Sequence, residues 1–440
     1  MPMLIIFAIM KALYCRKNQI SIRHNPQLPM ACLMIEFAAV ISLYAGYSNA
    51  KSIWKTLLIS VAALTCGFIA VHHFRKIHIN YSLTFSYIVL TTVSVVGCII
   101  FRLFADYEST KTYNWVNVGS VTLQFSELLK PFMVTAFAIA CSNFRKHPRA
   151  FLYYYGYQII NVILLGLLQE YGTAMELIFM TCISAMLVLP FPMHLKPFKQ
   201  HLMRSTFPAI VLTLLCILLK FSKRMLAMAD ASADERTILG HTVHFWDIRL
   251  NSTGEETLKA AESMHNSPLV SANMTSFQSF RTMKPSVITD YVFALMVENF
   301  GWLIPSLLIA FFSFVMISIT VKHRRKAAEG GFSDAMALGT AILLLVQAAI
   351  HILGPFRILP FSGITLPFLS IGLNSLIVCL LLLTTTEDSP DISITKSDTD
   401  IETSYFKQVS ISNDSEDEDI MFAVNDDFEC NRQPDQRAKK

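Results

Sequence analysis

Charge is scarce in this chain of 440 residues: Asp, Glu, Lys and Arg make up 15% of it, against about 25% in ordinary soluble domains. Hydrophobic residues make up 53% and the mean hydropathy is +0.47, which excludes a solvated globular domain and defines an integral membrane protein. Other absences narrow the chemistry. The nine cysteines are scattered singly, with Cys32, Cys66, Cys98, Cys182, Cys216 and Cys379 inside apolar runs and none between residues 222 and 288. Neither a disulfide framework nor metal-ligand spacing follows from that distribution. The chain has no Walker loop, no GxGxxG after a strand and no HExxH, so an ATP-driven or zinc mechanism has no support. It also shows no tandem repeat and nothing that points to nucleic acid.

What is present is a series of apolar runs, each near the roughly 20 residues a helix needs to cross a bilayer. They fall at 29–48, 53–72, 81–104, 126–141, 151–168, 173–192, 205–221, 289–320, 333–354 and 363–384, which predicts an all-α membrane protein of about ten transmembrane helices. Short loops rich in Lys and Arg stay in the cytoplasm. Lys11, Arg16, Lys17 and Arg23 precede the first run, and Arg75/Lys76, Arg145/Lys146/Arg149, Lys196/Lys199/Arg204 and Lys322/Arg324/Arg325/Lys326 fill every second loop after it. Both termini are therefore expected in the cytoplasm. One large external loop, 222–288, precedes the eighth helix.

Three regions are expected along the chain. Residues 1–28 form a cytoplasmic or interfacial segment: "MPMLIIFAIMKALYC" has the apolar core of a signal peptide but neither a basic start nor a small-residue cleavage site. Residues 29–384 form the polytopic membrane domain. Residues 385–440 form a disordered cytoplasmic tail, whose 15 acids and 6 bases leave about +13 for the remainder of a chain with net charge +4.

Polar residues inside the apolar runs are costly in lipid, and so they are candidate functional residues. In "TLQFSELLKPFMV", Glu127 and Lys130 are three apart and share one helix face, where pairing lowers the cost of both. Taken alone, such a pair serves equally well to anchor a helix at the interface. In "LLQEYGTAMEL", Glu170 occupies a tight turn, and by itself reads as a solvated turn acid. Glu36 and Glu176 have no partner visible in sequence. Gln347 and His351 lie four apart on one face, and Gly363, Pro367 and Gly372 interrupt the last run, as irregular backbone does where it lines a cavity. A lone intramembrane His is more often packing than catalysis. In "ITDYVFALMVENFGW", Asp290 sits at the mouth of an apolar run with Glu298 roughly 12 Å deeper on a continuous helix, rotated about 80°. Alone, Asp290 reads as an acid that complements a helix N-terminus.

Four stretches together resemble the SEDS family, the FtsW/RodA/SpoVE proteins of bacterial cell-wall synthesis. "LQFSELLK" is similar to the family's QPSExxK, "LQEYGTA" to QPDxGTA, "TDYVFALMVENFGW" to TDFIFAxxxEExG, and "LPFSGITLPFLSIGLNSL" to LPxxGxxLPFxSYGGSSL. This sequence departs from the patterns at Phe125, Gln169, Glu170, Ile288, Asn299, Ile371 and Leu373, and its external loop lacks the usual glycine-rich stretch.

The resemblance implies a SEDS, GT-C-like architecture and a peptidoglycan glycosyltransferase of the bacterial inner membrane. Such an enzyme polymerises lipid II, an undecaprenyl-pyrophosphate-linked precursor, for cell division or cell shape. It implies Asp290 as catalytic base, a cavity formed with Glu127, Lys130, Glu170, Glu298, Gln347 and Ser370, and Arg102 as a phosphate contact at the outer end of its helix. Neither a cofactor nor a metal ligand is expected. Expected partners are a class B penicillin-binding transpeptidase and other divisome or elongasome proteins. Two other readings stay open: a flippase or transporter of lipid-linked precursor, since interrupted helices and buried acids also describe transporters, and an inactive scaffold for a transpeptidase.

Overall fold

The computed structural model describes residues 2–17, 26–44, 50–74, 82–105, 107, 112–118, 121–147, 149–188, 255–271, 287–356, 358–359 and 362–387. A backbone in lipid finds no water and must satisfy its own N–H and C=O groups, so the apolar runs coil into helices. In order these are α1 (Pro2–Lys17), α2 (Gln27–Tyr44), α3 (Ala50–Phe74), α4 (Leu83–Phe104), α5 (Phe125–Asn143), α6 (Ala150–Leu167), α7 (Tyr171–Val188), α8 (Glu255–Asn266), α9 (Val287–Asp290), α10 (Val292–Phe300), α11 (Leu303–Ala328), α12 (Phe332–Leu353) and α13 (Leu373–Thr384). Seven of them, α3 to α7, α11 and α12, are long and apolar enough to cross a membrane, and α2 and α13 are shorter apolar helices. The chain is therefore a multi-pass, mainly helical membrane protein. The expected run at 205–221, most of the 222–288 loop and the acidic tail beyond Glu387 lie outside the described residues.

Hydrogen bonds define the two ends of the bundle. At one, Gln27 donates to the Thr386 carbonyl, Arg324 to the Leu187 carbonyl, and Thr340 meets Thr385. The basic residues Arg145, Lys146, Arg149, Lys322, Arg325 and Lys326 flank helix ends on this side. At the other end, Tyr113 N–H donates to Leu168, Trp302 N–H to Pro268, and Ile371 N–H to Ile288.

Residues 1–28, expected as a cytoplasmic or interfacial segment, include α1, which packs against α2 and α3. Met3 and Leu4 donate their N–H groups to Glu36 Oε1 at 2.7 and 3.4 Å. Lys11 pairs with Glu387 at 2.5 Å. The eight residues from Met3 to Lys11 advance about 12 Å, so α1 rises part of the way up the bundle from the basic end. Its first amides have no partner within the helix, and in lipid the acid of α2 supplies one. Glu36, isolated in sequence, thus caps a neighbouring helix.

The run expected as one helix over 289–320 is broken twice. The chain bends at Tyr291, between α9 and α10, and again at Gly301 and Trp302, so the crossing helix is α11 alone. Residues 267–271 cause the second break. Trp302 N–H and Leu303 N–H donate to Pro268 and Leu269, Ser271 N–H donates to Phe300, and Trp302 Nε1 donates to Met264 at 3.1 Å. This segment is strapped onto the chain just ahead of the span.

An element with no counterpart in the sequence reading joins α4 to α5. Strands β1 (Trp115–Val118) and β2 (Val121–Gln124) pair antiparallel with Trp115 opposite Gln124 and Val118 opposite Val121. The alternation in "WVNVGSVTLQ" around Gly-Ser was the available signal. Asn374 donates to the Thr122 carbonyl and ties the hairpin to the first turn of α13.

Gly301 combines φ +74° with a position where a Cβ would lie 2.7 Å from the carbonyl oxygens of both Pro268 and Leu269. Gly301→Ala is expected to lower thermal stability in detergent by about 1–3 kcal/mol, from left-handed strain and overpacking. An unchanged unfolding temperature would show that the strap does not seat there.

Candidate active site

At the end opposite the basic loops, irregular backbone lies inside protein. Residues 362–372 run without helix between α12 and α13, and α9, α12 and α13 hold them. His351 Nδ1 of α12 contacts the Ile364 carbonyl at 2.7 Å. Gln347 Nε2 donates to the Thr365 carbonyl at 3.0 Å, to Thr365 Oγ1 at 3.1 Å and to Ser375 Oγ at 3.2 Å. Ser370 Oγ donates to the Thr289 carbonyl at 2.6 Å and accepts from Leu366 N–H at 2.8 Å. Ile371 N–H donates to Ile288. Without these partners the peptide groups of this segment would be buried unsatisfied, at about 1–3 kcal/mol each.

Two acids lie near the start of this segment. Gly363 sits at φ +64°, and a Cβ added there would lie 3.5 Å from Asp290 Oδ2. Gly172 approaches the preceding residue so closely that its Cβ would be 2.8 Å from Ser362 Cβ, with Glu170 Oε1 3.4 Å away. Asp290, at the end of α9, and Glu170, in the turn between α6 and α7, therefore both lie near the Ser362–Gly363 pair. Both acids are partly exposed. Gln169, at φ 61°, and Phe368, at φ 62°, are the non-glycine residues with left-handed backbone among those described. Such backbone costs of order 1–3 kcal/mol and concentrates at functional sites. One of these residues precedes Glu170 and the other lies in the 362–372 segment.

Glu170 is positioned by Asn114, a fully buried residue that sequence reading missed. Asn114 Nδ2 donates to Glu170 Oε2 at 3.0 Å and to Ser126 Oγ at 2.9 Å, and its Oδ1 accepts from Ser126 N–H at 2.9 Å. An Asn just ahead of a hairpin reads as a turn residue, and only packing turns it into a bridge between the α6–α7 turn and the start of α5.

Behind the irregular segment lies a buried ion cluster. Lys130, 1% exposed, has Glu127 Oε1 at 2.9 Å, Gln347 Oε1 at 3.1 Å and Glu176 Oε2 at 3.3 Å. An ammonium group has three N–H donors, and here three oxygens from α5, α12 and α7 surround it. The i,i+3 pair of Glu127 and Lys130 was legible in sequence. Glu176, far along the chain, was not.

The other sequence candidates lie outside these two groups. The guanidinium of Arg102 rests 3.4 Å from the Tyr113 ring centroid and donates to the Leu167 carbonyl at 3.2 Å, a cation–π contact that holds the hairpin's approach. Glu298, half-buried on α10, no longer shares a helix axis with Asp290, because the chain bends at Tyr291 between them. Lys130, enclosed by its three oxygens, ties helices together. Among the described residues no cluster of His, Cys, Asp or Glu suits a metal ion.

This is a polytopic helical membrane protein whose irregular, acid-flanked backbone is buried in one end of the bundle. The chain belongs to the FtsW/RodA/SpoVE family, described as cell cycle proteins, whose model matches residues 25–386. It is 24% identical over 270 residues to the probable peptidoglycan glycosyltransferase FtsW of Saccharophagus degradans, covering 60% of this chain and 64% of that one. A 99-residue stretch is 39% identical to the protein of the same description from a Thioalkalivibrio species, 22% of this chain and 24% of the relative. The chain thus spans less than two thirds of the curated relatives it matches. In fold it is similar to a chain of a peptidoglycan synthase complex solved for its coordination of polymerization and crosslinking. That likeness has a TM-score of 0.54 at 15% identity and covers 82% of this chain and 95% of the other.

Removing one partner from a buried ion cluster strands the others, at about 3–5 kcal/mol, whereas apolar replacement of the whole group is often neutral. Lys130→Met is therefore expected to lower the unfolding temperature sharply, and Lys130→Met combined with Glu127→Gln and Glu176→Gln to recover much of it. Thermal unfolding of the purified variants reads the difference; equal temperatures for the single and triple variants would show that the ions do not act as a unit.

Proposed function

We propose that this protein is a peptidoglycan glycosyltransferase of the bacterial inner membrane that polymerises lipid II, with Asp290 as its general base. The observation that carries the reading is the placement of Asp290 beside Gly363 and of Glu170 beside Gly172, which packs on Ser362, at the end opposite the basic loops. Under the positive-inside rule the basic end is cytoplasmic, so the acids face the outer leaflet.

In the reaction a sugar hydroxyl attacks the anomeric carbon of a second, pyrophosphate-linked sugar. A carbon–oxygen bond forms, the bond to the lipid pyrophosphate breaks, and the hydroxyl proton passes to the Asp290 carboxylate. A base needs access to its substrate and a fixed direction. Partial exposure supplies the first. The bonds of Ser370 to Thr289 O and of Ile371 N–H to Ile288 O supply the second, by fixing the residues just before Asp290. Glu170, held by Asn114, is the second polar wall of the site. Glu127, Lys130 and Gln347 order the backbone from behind, and Glu298 and Arg102 act in support at the periphery.

The depth of the ion cluster favours surface chemistry over transport. Lys130 and Glu176 each lie five residues into helices that start at the outer end, about 8 Å along the axis. A transporter site is expected near the midplane. The relatives named peptidoglycan glycosyltransferase support the activity, and the fold of the synthase-complex chain supports a transpeptidase partner of class B, with division or elongation as the cellular setting.

The test is polymerisation of lipid II by purified protein in detergent, with and without a class B transpeptidase. Asp290→Ala is expected to keep its unfolding temperature and lose about 10²- to 10⁴-fold in rate, the usual worth of a general base. Glycan strands made by Asp290→Ala at the wild-type rate would refute the assignment. If neither protein polymerises with its partner present, the scaffold reading takes its place.

A further inference from the structure

Away from the site, α4 and α6 run side by side and parallel. The Tyr87 and Tyr153 rings stack at 5.9 Å, Ser94 Oγ lies 3.1 Å from Tyr157 OH, Cys98 Sγ 3.7 Å from the Leu164 carbonyl, and Arg102 reaches the Leu167 carbonyl. Between the two helices is a groove of about 690 Å³, within the size range of small-ligand sites. Its walls include Ile88, Leu152 and Ile160, and Gly156 contributes no side chain to its floor. Three observations separate it from an ordinary lipid-facing crevice.

First, exposed Arg149 lines the groove from the start of α6, at the basic end, with exposed Arg145 and Lys146 in the turn before it. Second, both helices begin at this end, so two N-termini with their partial positive charge converge on the mouth, near Thr84 and Arg149. Third, Thr91 and Thr92 line the groove without a hydrogen bond among the described residues, whereas Thr65, Thr135, Thr181 and Thr320 each donate to the carbonyl four residues back. Back-bonding is the usual way for a threonine to settle its hydroxyl in a helix. Two hydroxyls left open in an apolar wall suit a ligand that carries oxygens between a charged head and an apolar body.

We propose that the α4–α6 groove binds an anionic glycerophospholipid of the cytoplasmic leaflet. Its phosphate sits against Arg149 and the two helix N-termini, its ester oxygens accept from Thr91 and Thr92, and one acyl chain lies over Gly156. Basic pockets between membrane helices on the cytoplasmic side recognise anionic headgroups in this way. The site is at the opposite end of the bundle from Asp290 and stands independently of the glycosyltransferase reading.

The test is native mass spectrometry of the full-length protein titrated with palmitoyl-oleoyl phosphatidylglycerol, phosphatidylcholine or undecaprenyl phosphate. A Cβ at Gly156 meets nothing within 4 Å, so Gly156→Leu has room to enter and places a side chain in the path of the acyl chain. Phosphatidylglycerol is expected to bind in preference to phosphatidylcholine. Arg149→Gln is expected to weaken it about fivefold, the factor that one basic side chain at an anionic surface represents. Gly156→Leu is expected to abolish it, and Arg145→Gln to change it less than Arg149→Gln does. Equal binding of the two phospholipids, retention by Gly156→Leu, or preference for undecaprenyl phosphate would each overturn the assignment.

Discussion

The structure depends on the enclosure of one ammonium group. In lipid, apolar surfaces gain little by meeting one another, because hydrocarbon chains are as apolar as leucine, and helix association falls to packing and polar contacts. Lys130 is the polar contact buried among three helices of this bundle. With Glu127 on its own helix, Glu176 on α7 and Gln347 on α12, it joins three helices at one depth. An unpartnered charge there is far costlier than a mismatched apolar contact, so few registers of these helices are acceptable.

That constraint is passed to the site through Gln347. The carboxamide oxygen of Gln347 faces Lys130, and its nitrogen faces Thr365 and Ser375. One side chain thus couples the ion cluster to the irregular backbone in front of it. From there Ser370 reaches the Thr289 carbonyl, and the next residue is Asp290. The outer acids and the inner cluster belong to one hydrogen-bonded structure, in which the inner part supplies rigidity and the outer part supplies access. Left-handed backbone at Gln169 and Phe368 falls within this same bonded region.

A similar economy appears at the N-terminal helix. The first amides of a helix have no partner within it, and Glu36 accepts from two of those of α1. An acid inside an apolar helix and unpartnered amides at a helix start would each be costly alone. Together each settles the other's polar group.

By itself the sequence determined the membrane class, the apolar helices within the described residues, the basic end, the i,i+3 pair of Glu127 and Lys130, and the order of the four motifs that marked the family. These are local properties: hydropathy over twenty residues, charge in short loops, side chains one helical turn apart. Tertiary structure alone decided that Glu176 joins Lys130, that Asn114 holds Glu170, that Glu36 caps α1, and that the run from 289 breaks at Tyr291 and again at Gly301. Each of these is a contact between residues distant in the chain or a bend imposed by another segment. Hydropathy does not register them, because an apolar stretch reads the same whether it continues as one helix or is strapped, bent and turned back by its neighbours.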